Sequence, residues 1–382
     1  MIIDTDTHIS EPPDLWTSRL PSSMRDQTMH VRWSADAKAE MWFMGERPVF
    51  KAWAGAMFGW DEPFPSAPPT QAEAHPASYD VGARLKAMDA SGIDVACLYP
   101  NVAGGSVADT YAAEVDPAVT LAHLRAYNDF LLDWIAPAPD RFVPLALIPY
   151  WDVDAAVDEI ERVAAAGHKG LVTTGAPQVH AAPYLADHHW DRMWAACQAS
   201  GLPVSFHVAN GDLSQHLALP RLMVDGAAVT YARTTTAAFL DNAQQVTDLL
   251  LGGVLARFPD LRFVSVESGL GWIGFVLESC DYHFRKAKVW SEHPEFGDLL
   301  PSDLFRRQVF VNYWFERLEA WHVETVGEDN ILFETDFPHP TCIYGDEIPA
   351  AISNGLQAQP PAVQEKILWR NAAALYGVKV PA

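Results

Sequence analysis

Asp6 and His8 stand two residues apart in DTDTH (4–8), directly behind the apolar Met1-Ile2-Ile3. Alternate side chains of an extended strand share a face, so these two can grip one ion together. Polar residues of the same chemistry follow other apolar runs. His207 lies at the end of PVSFHV (203–208), Glu267 in RFVSVES (262–268) and Asp336 in ILFETDF (331–337), with His339 just beyond. Singly, each has an ordinary reading: Asp6 as a turn cap, His207 as a hydrogen-bonded core histidine, Asp336 as a turn aspartate. As a set they are carboxylate and imidazole donors without a thiolate, which suits a divalent ion such as Zn²⁺, Mn²⁺ or Fe²⁺. Such an ion lowers the pKa of bound water towards about 7 and yields a hydroxide nucleophile. His123, His168, His188, His189 and His216 lack this placement and read as structural or surface residues.

The elements that must position this set alternate along the chain. Strands are expected near 2–4, 95–100, 142–150, 170–174, 203–208, 262–268, 309–314 and 331–337. Helical stretches run between them, for example 84–92, 108–136, 155–167 and 189–201. Several strands are continuously apolar, as buried parallel strands are, and the pattern predicts an α/β fold, a (β/α)₈ TIM barrel. An open doubly wound sheet is the alternative, weakened by the absence of a GxGxxG turn after the first strand. Barrel active sites form at the carboxyl ends of the strands, where the polar set falls.

One domain is expected over 1–382, with long insertions at 17–80, after strand 1, and at 209–236, after strand 5. The first is rich in aromatic residues and proline and reads as a lid, a subdomain or a dimer contact. Trp53 and Phe58 within it are candidate substrate contacts. Arg233 or Arg47 is a candidate clamp for an anionic substrate, against an ordinary surface role. Glu11 and His283 are weaker candidates, with turn and helix-surface readings beside them.

The 49 acids against 26 bases give a net charge of −23, which repels phosphate backbones and excludes nucleic acid as an expected partner. No apolar run is long enough to span a membrane, and no secretory signal is visible. The four cysteines (Cys97, Cys197, Cys280, Cys342) form no CxxC pair, so a reducing cytoplasm is expected.

DTDTHISEPPDLW, RLKAMDASGIDVACLYP, GLPVSFHV, FPDLRFVSVESGLGWI, ILFETDFPHP and LWRNAAALYGV together resemble the amidohydrolase superfamily. Within it they are similar to the amidohydrolase-related branch that includes aminocarboxymuconate semialdehyde decarboxylase and the resorcylate decarboxylases. The likeness spans almost the whole chain outside the two insertions. It implies a distorted barrel with a metal in its mouth, held by Asp6, His8, His207 and Asp336, with Asp336 also moving a proton and His339 near the metal and substrate. It implies a homodimer as well. The chain departs from the branch at Asp6, where a His or Glu is common, and at Glu267, where a histidine is usual. An ionised Glu267 adds negative charge that repels a substrate carboxylate and favours a second cation. Glu267 is therefore read either as a ligand of a second ion or as an acceptor that orients a ligand.

On that charge argument the leading expectation is a metal-dependent hydrolase. It would cleave an acyl bond (ester, thioester, amide or lactone) of a bulky apolar small molecule, using one divalent ion or two. The alternative is a metal-dependent non-oxidative decarboxylase of an aromatic or unsaturated acid. A catalytically dead binding barrel is disfavoured, because all four ligand positions hold competent residues.

Overall fold

The computed structural model describes residues 1–63, 66–103, 116–208 and 219–380, and side chains from 222 onward in the last segment. All eight expected runs form strands: β1 (Ile3–Ile9), β5 (Val95–Pro100), β6 (Phe142–Leu147), β7 (Gly170–Thr173), β8 (Val204–His207), β9 (Phe263–Val266), β10 (Val309–Tyr313) and β11 (Ile331–Phe333). They lie in the order β1-β5-β6-β7-β8-β9-β10-β11, each parallel to its neighbour. The loop after β11 closes the circle on β1. Thr7 bridges Phe337, the His8 amide donates to the Phe337 carbonyl (2.6 Å), and the Asp336 amide donates to the Asp6 carbonyl (3.0 Å).

These strands are buried almost throughout, because helices cover the sheet outside and side chains fill the barrel inside. The helices stop and start on standard local chemistry. Asp80 accepts the Ala83 amide to open Val81–Ser91, and Gly92 at φ +72° ends it. Asp152 and Gly167 do the same for Val153–Ala166.

Three differences from the sequence-based expectation follow. The first insertion holds an antiparallel sheet of β2 (Met29–Ser34), β3 (Ala39–Met44) and β4 (Arg47–Lys51), where no strand was expected. Gly45 at φ +57° makes the β3–β4 turn. Trp42 of β3 meets Trp16 with ring centroids 5.2 Å apart, so apolar aromatics seat the sheet on the barrel. β1 runs five residues further than expected and carries Asp6 and His8 inside the strand. The helical stretch expected at 108–136 is described as Pro117–Ile135; its expected beginning, 108–115, lies outside the described residues, as do 209–218 of the second insertion, with His216. The rest of that insertion leads into the 25-residue helix Ala227–Leu251. No helix among the described residues is long and apolar enough to cross a membrane.

Candidate metal centre

β1, β8, β9 and the loop after β11 bring Asp6, His8, His207, Glu267, Asp336 and His339 to one point at the carboxyl end of the barrel. His8 Nε2 lies 3.4 Å from Asp6 Oδ1 and 3.6 Å from Asp336 Oδ1. His207 Nε2 lies 3.6 Å from Asp6 Oδ1 and 3.5 Å from Glu267 Oε2. One ligand atom each from Asp6, His8, His207 and Glu267 falls within a 4.8 Å cluster, and so does one each from His8, Glu267, Asp336 and His339. The ring of His339 stacks on His8 at 3.8 Å, and its Nδ1 lies 2.8 Å from Asp336 Oδ1.

The donors fit a divalent cation. His8 Nδ1 lies 2.9 Å from the Pro100 carbonyl and His207 Nδ1 lies 2.9 Å from the Val208 carbonyl. In a neutral ring the proton therefore sits on Nδ1, and Nε2 keeps its lone pair. The two Nε2 atoms are 3.2 Å apart, so two lone pairs face each other unless a positive charge lies between them. Both carboxylate oxygens of Asp6 are buried with no hydrogen-bond partner, and Asp336 Oδ1 has the His339 ring nitrogen 2.8 Å away. Buried acceptors of this kind are stable only with a compensating charge or donor. The site's appetite for positive charge also shows on His207: burial opposes its protonation, yet the neighbouring Asp6 and Glu267 carboxylates push it up to about 9. His339, by contrast, is pushed down to about 4 by burial.

Two of these residues occupy the left-handed backbone region that side-chained residues rarely adopt: Glu267 at φ +51° and Asp336 at φ +60°. Such conformations cost about 1–3 kcal/mol and persist where surrounding structure imposes them. Here they turn two carboxyls off the ends of β9 and β11 and into the mouth. Burial holds both carboxyls well above the usual range, and the neighbouring acids add to this.

Asp4, the other acid of DTDTH, is a structural residue. Its Oδ1 accepts the amides of Asp6 (3.3 Å) and Thr335 (3.0 Å), tying β1 to the loop after β11. Burial pushes its carboxyl up to about 8. Glu11 accepts the amides of Asn101, Val102 and Ala103 and so anchors the loop after β5. His283 is exposed on the helix Ile273–Ala287.

The other proposed substrate contacts are scattered. Phe58 packs on Phe337 (4.8 Å) and Tyr344 (4.7 Å), beside the loop that carries Asp336. Trp53 is only 1% exposed, its indole donating to Glu40 and its ring against Tyr79, which leaves it inside the insertion's own core. Arg233 is half-buried on the helix Ala227–Leu251, and Arg47 opens the exposed strand β4.

Sequence reasoning missed four contributors. Asn101 follows β5 directly and its side-chain oxygen lies 3.1 Å from His339 Nε2. Tyr231, in the second insertion, hydrogen-bonds Thr341 and feels the charges of Asp336 and Glu267. Thr341 in turn donates to Asp336 Oδ2 (3.2 Å). Glu334, two residues before Asp336, is fully buried against the amide of Glu267. The strand-end rule that found His207 applies equally to Asn101 and Glu334. Nothing local marks Tyr231.

A parallel eight-stranded barrel whose strand ends gather imidazoles and carboxyls around one point is a metal-binding α/β-barrel enzyme. The family model described as Amidohydrolase matches residues 3–378, and the chain belongs to that family, in its decarboxylase-like branch. The gamma-resorcylate decarboxylase of Rhizobium sp. (strain MTP-10005) is 26% identical over 272 residues, covering 67% of this chain and 76% of that one. An amidohydrolase structure from Mycobacterium avium subsp. paratuberculosis K-10 superposes with a TM-score of 0.75 at 23% identity, covering 98% of this chain and 99% of that one. A dihydroxybenzoic acid decarboxylase from Polaromonas sp. JS666, with bound manganese and 2-nitroresorcinol, gives a TM-score of 0.66 at 18% identity, covering 100% and 98%.

The sequence relatives are named as decarboxylases, which overturns the expectation of an acyl-bond hydrolase. That expectation rested on an ionised Glu267 repelling a substrate carboxylate. In the folded chain Glu267 Oε2 lies 3.5 Å from His207 Nε2 inside the donor cluster, so its charge faces the cation site and does not stand alone against a substrate carboxylate.

Proposed function

We propose that the protein is a metal-dependent, non-oxidative decarboxylase of a hydroxylated aromatic carboxylic acid. The observation that carries this reading is the buried Asp336 carboxyl beside the Asp6, His8 and His207 set, with His339 Nδ1 2.8 Å from its Oδ1. Decarboxylation needs a proton held at such a place. Cleaving the bond between ring and carboxyl leaves its electron pair on the ring carbon and releases CO₂. That carbon then takes a proton, which the paired Asp336 and His339 would supply. The names of the relatives, and the manganese and nitroresorcinol held by one of them, support the same class.

Asp6, His8 and His207 would hold the ion, with Asp336 and Glu267 completing its surroundings. When bound, the ion would supply positive charge that offsets the substrate's negative charge and draws electron density from the ring. One ion is favoured over two. His8 has a single free ring nitrogen, so the two ligand groupings that share it cannot be filled together. The oxygen and nitrogen donors accept Mn²⁺, Zn²⁺ or Fe²⁺ alike.

His339 and Asn101 would shape one wall of the substrate site, and Tyr231 reaches Thr341, beside Asp336, from the second insertion. The first insertion acts as a lid: the Met57 amide donates to the Pro338 carbonyl (2.9 Å), and Phe58 rests on Phe337. A homodimer belongs to the same proposal, with exposed Phe275, Phe315 and Trp321 offering an apolar face; sedimentation velocity checks it.

The test loads the protein with Mn²⁺ or Zn²⁺ and offers it ortho-hydroxylated benzoates, reading CO₂ release. In D₂O the product should carry one deuterium at the vacated ring position. A fully loaded protein that releases no CO₂ from any hydroxylated aromatic acid sinks the proposal.

A further inference from the structure

We propose that Glu334 is a positioning residue: it fixes Glu267, and through Glu267 it sets how tightly the centre holds its ion. The inference rests on reading Glu267 as an ion ligand. Glu334 follows β11 directly and is fully buried. Its Oε2 accepts the backbone amide of Glu267 (3.1 Å) and the side-chain amide of Asn312 in β10. Its Oε1 has no hydrogen-bond partner. One carboxyl thus reaches from β11 across β10 to the end of β9.

The residue it holds is the one that most needs holding. Glu267 stands at φ +51°, a conformation that a side-chained residue leaves when nothing constrains it. From there its carboxyl comes within 3.5 Å of His207 Nε2. The far end of the same loop has a second buried clamp. Glu316 Oε1 accepts the amides of Leu270 (2.6 Å) and Gly271 (3.2 Å) and lies where a side chain on Gly269 would stand. Loss of Glu334 therefore frees the ligand end of the loop while Glu316 keeps the rest in place. Partners that orient metal ligands typically matter 10–100-fold in metal affinity.

The deciding property is reach, not charge. Glu334→Gln keeps an oxygen able to accept from both Glu267 and Asn312. Glu334→Asp keeps the carboxyl but is one methylene short. Mn²⁺ affinity is measured by competition with a chelating dye on the whole chain, together with urea unfolding of the ion-free protein. The expected result is 10–100-fold weaker Mn²⁺ binding in E334D, and in the volume-matched E334M, with near-native binding in E334Q. In an E267Q background E334D should weaken binding no further. Wild-type affinity in E334D, or the reverse order with E334Q weak and E334D intact, overturns the inference. So does an equal loss from E334D in the presence and absence of the Glu267 carboxyl, which marks a general folding role. If E267Q alone binds Mn²⁺ as tightly as wild type, the ligand reading of Glu267 fails and the positioning role falls with it. E334M is dispensable if it does not fold, because E334D and E334Q carry the contrast.

Discussion

Gly55 lies so close to Asn101 that a Cβ built on it stands 2.3 Å from Asn101 Nδ2 and 2.5 Å from its Oδ1. No side chain fits there unless Asn101 moves, and Asn101 is the partner of His339 Nε2. The first insertion is thereby pressed against the wall of the candidate centre. Gly55→Ala is expected to displace the Asn101 amide and lower kcat/KM for decarboxylation about tenfold, equivalent to about 1.4 kcal/mol of transition-state binding. Ion affinity should be unaltered, because Asn101 touches none of Asp6, His8 or His207. Steady-state kinetics on the loaded protein checks this; an unchanged kcat/KM means the insertion does not bear on catalysis.

The paired Nε2 atoms of His8 and His207 give the ion a measurable role in stability. Without it, buried Asp6 has two unbonded oxygens. Added Mn²⁺ or Zn²⁺ should raise the melting temperature, with a stabilisation of about 2.7 kcal/mol at a free concentration one hundred times Kd. Elemental analysis should return one ion per chain. Asp6→Ala should abolish both effects, and a chelator should reverse the first. A melting temperature indifferent to metal and chelator contradicts the assignment.

The barrel was legible because its strands are apolar runs at regular spacing, and the centre was legible because polar residues interrupt those runs at one end. The antiparallel sheet of the first insertion was not. WFM and RPVFK flank Gly45-Glu46 as hairpin strands do, but their apolar residues face the barrel through aromatic contacts that only the tertiary structure supplies. Glu267 was found as a residue and misjudged as a charge. Its identity is in the sequence, whereas its place against His207 and within reach of Asp6 depends on residues distant in the chain. Trp53 was misplaced for a related reason: an aromatic residue in an insertion reads alike whether it faces substrate or its own small core.

Glu11 gains a definite role, and removing it has a definite cost. Its carboxyl is 2% exposed, accepts three consecutive amides after β5, and is pushed up to about 7 by burial against the pull of those amides. Glu11→Ala strands three N–H groups and is expected to destabilise the fold by about 2–4 kcal/mol. Glu11→Gln retains one accepting oxygen and should cost less. Urea unfolding of the two variants reads the difference, and equal costs show that accepting the loop amides is not what Glu11 contributes.

His123 ties the small sheet to the barrel in a way that acid should undo. Its Nε2 accepts the Met29 amide (3.2 Å), and its Nδ1 faces the Val119 carbonyl (2.8 Å). These contacts require the neutral ring with the proton on Nδ1. Burial pushes its pKa down to about 4 from the ordinary 6.5. The unfolded chain therefore binds a proton between pH 6.5 and 4 that the folded chain refuses. The contribution is fully present above pH 6.5 and is lost as pH falls towards 4, a change of about 3 kcal/mol in all. His123→Gln offers Met29 an acceptor that does not titrate in this range. The stability difference between wild type and H123Q, followed by urea unfolding from pH 7 to 4, should move steadily against wild type. Parallel curves mean that the ring is free to take up its proton in the folded chain.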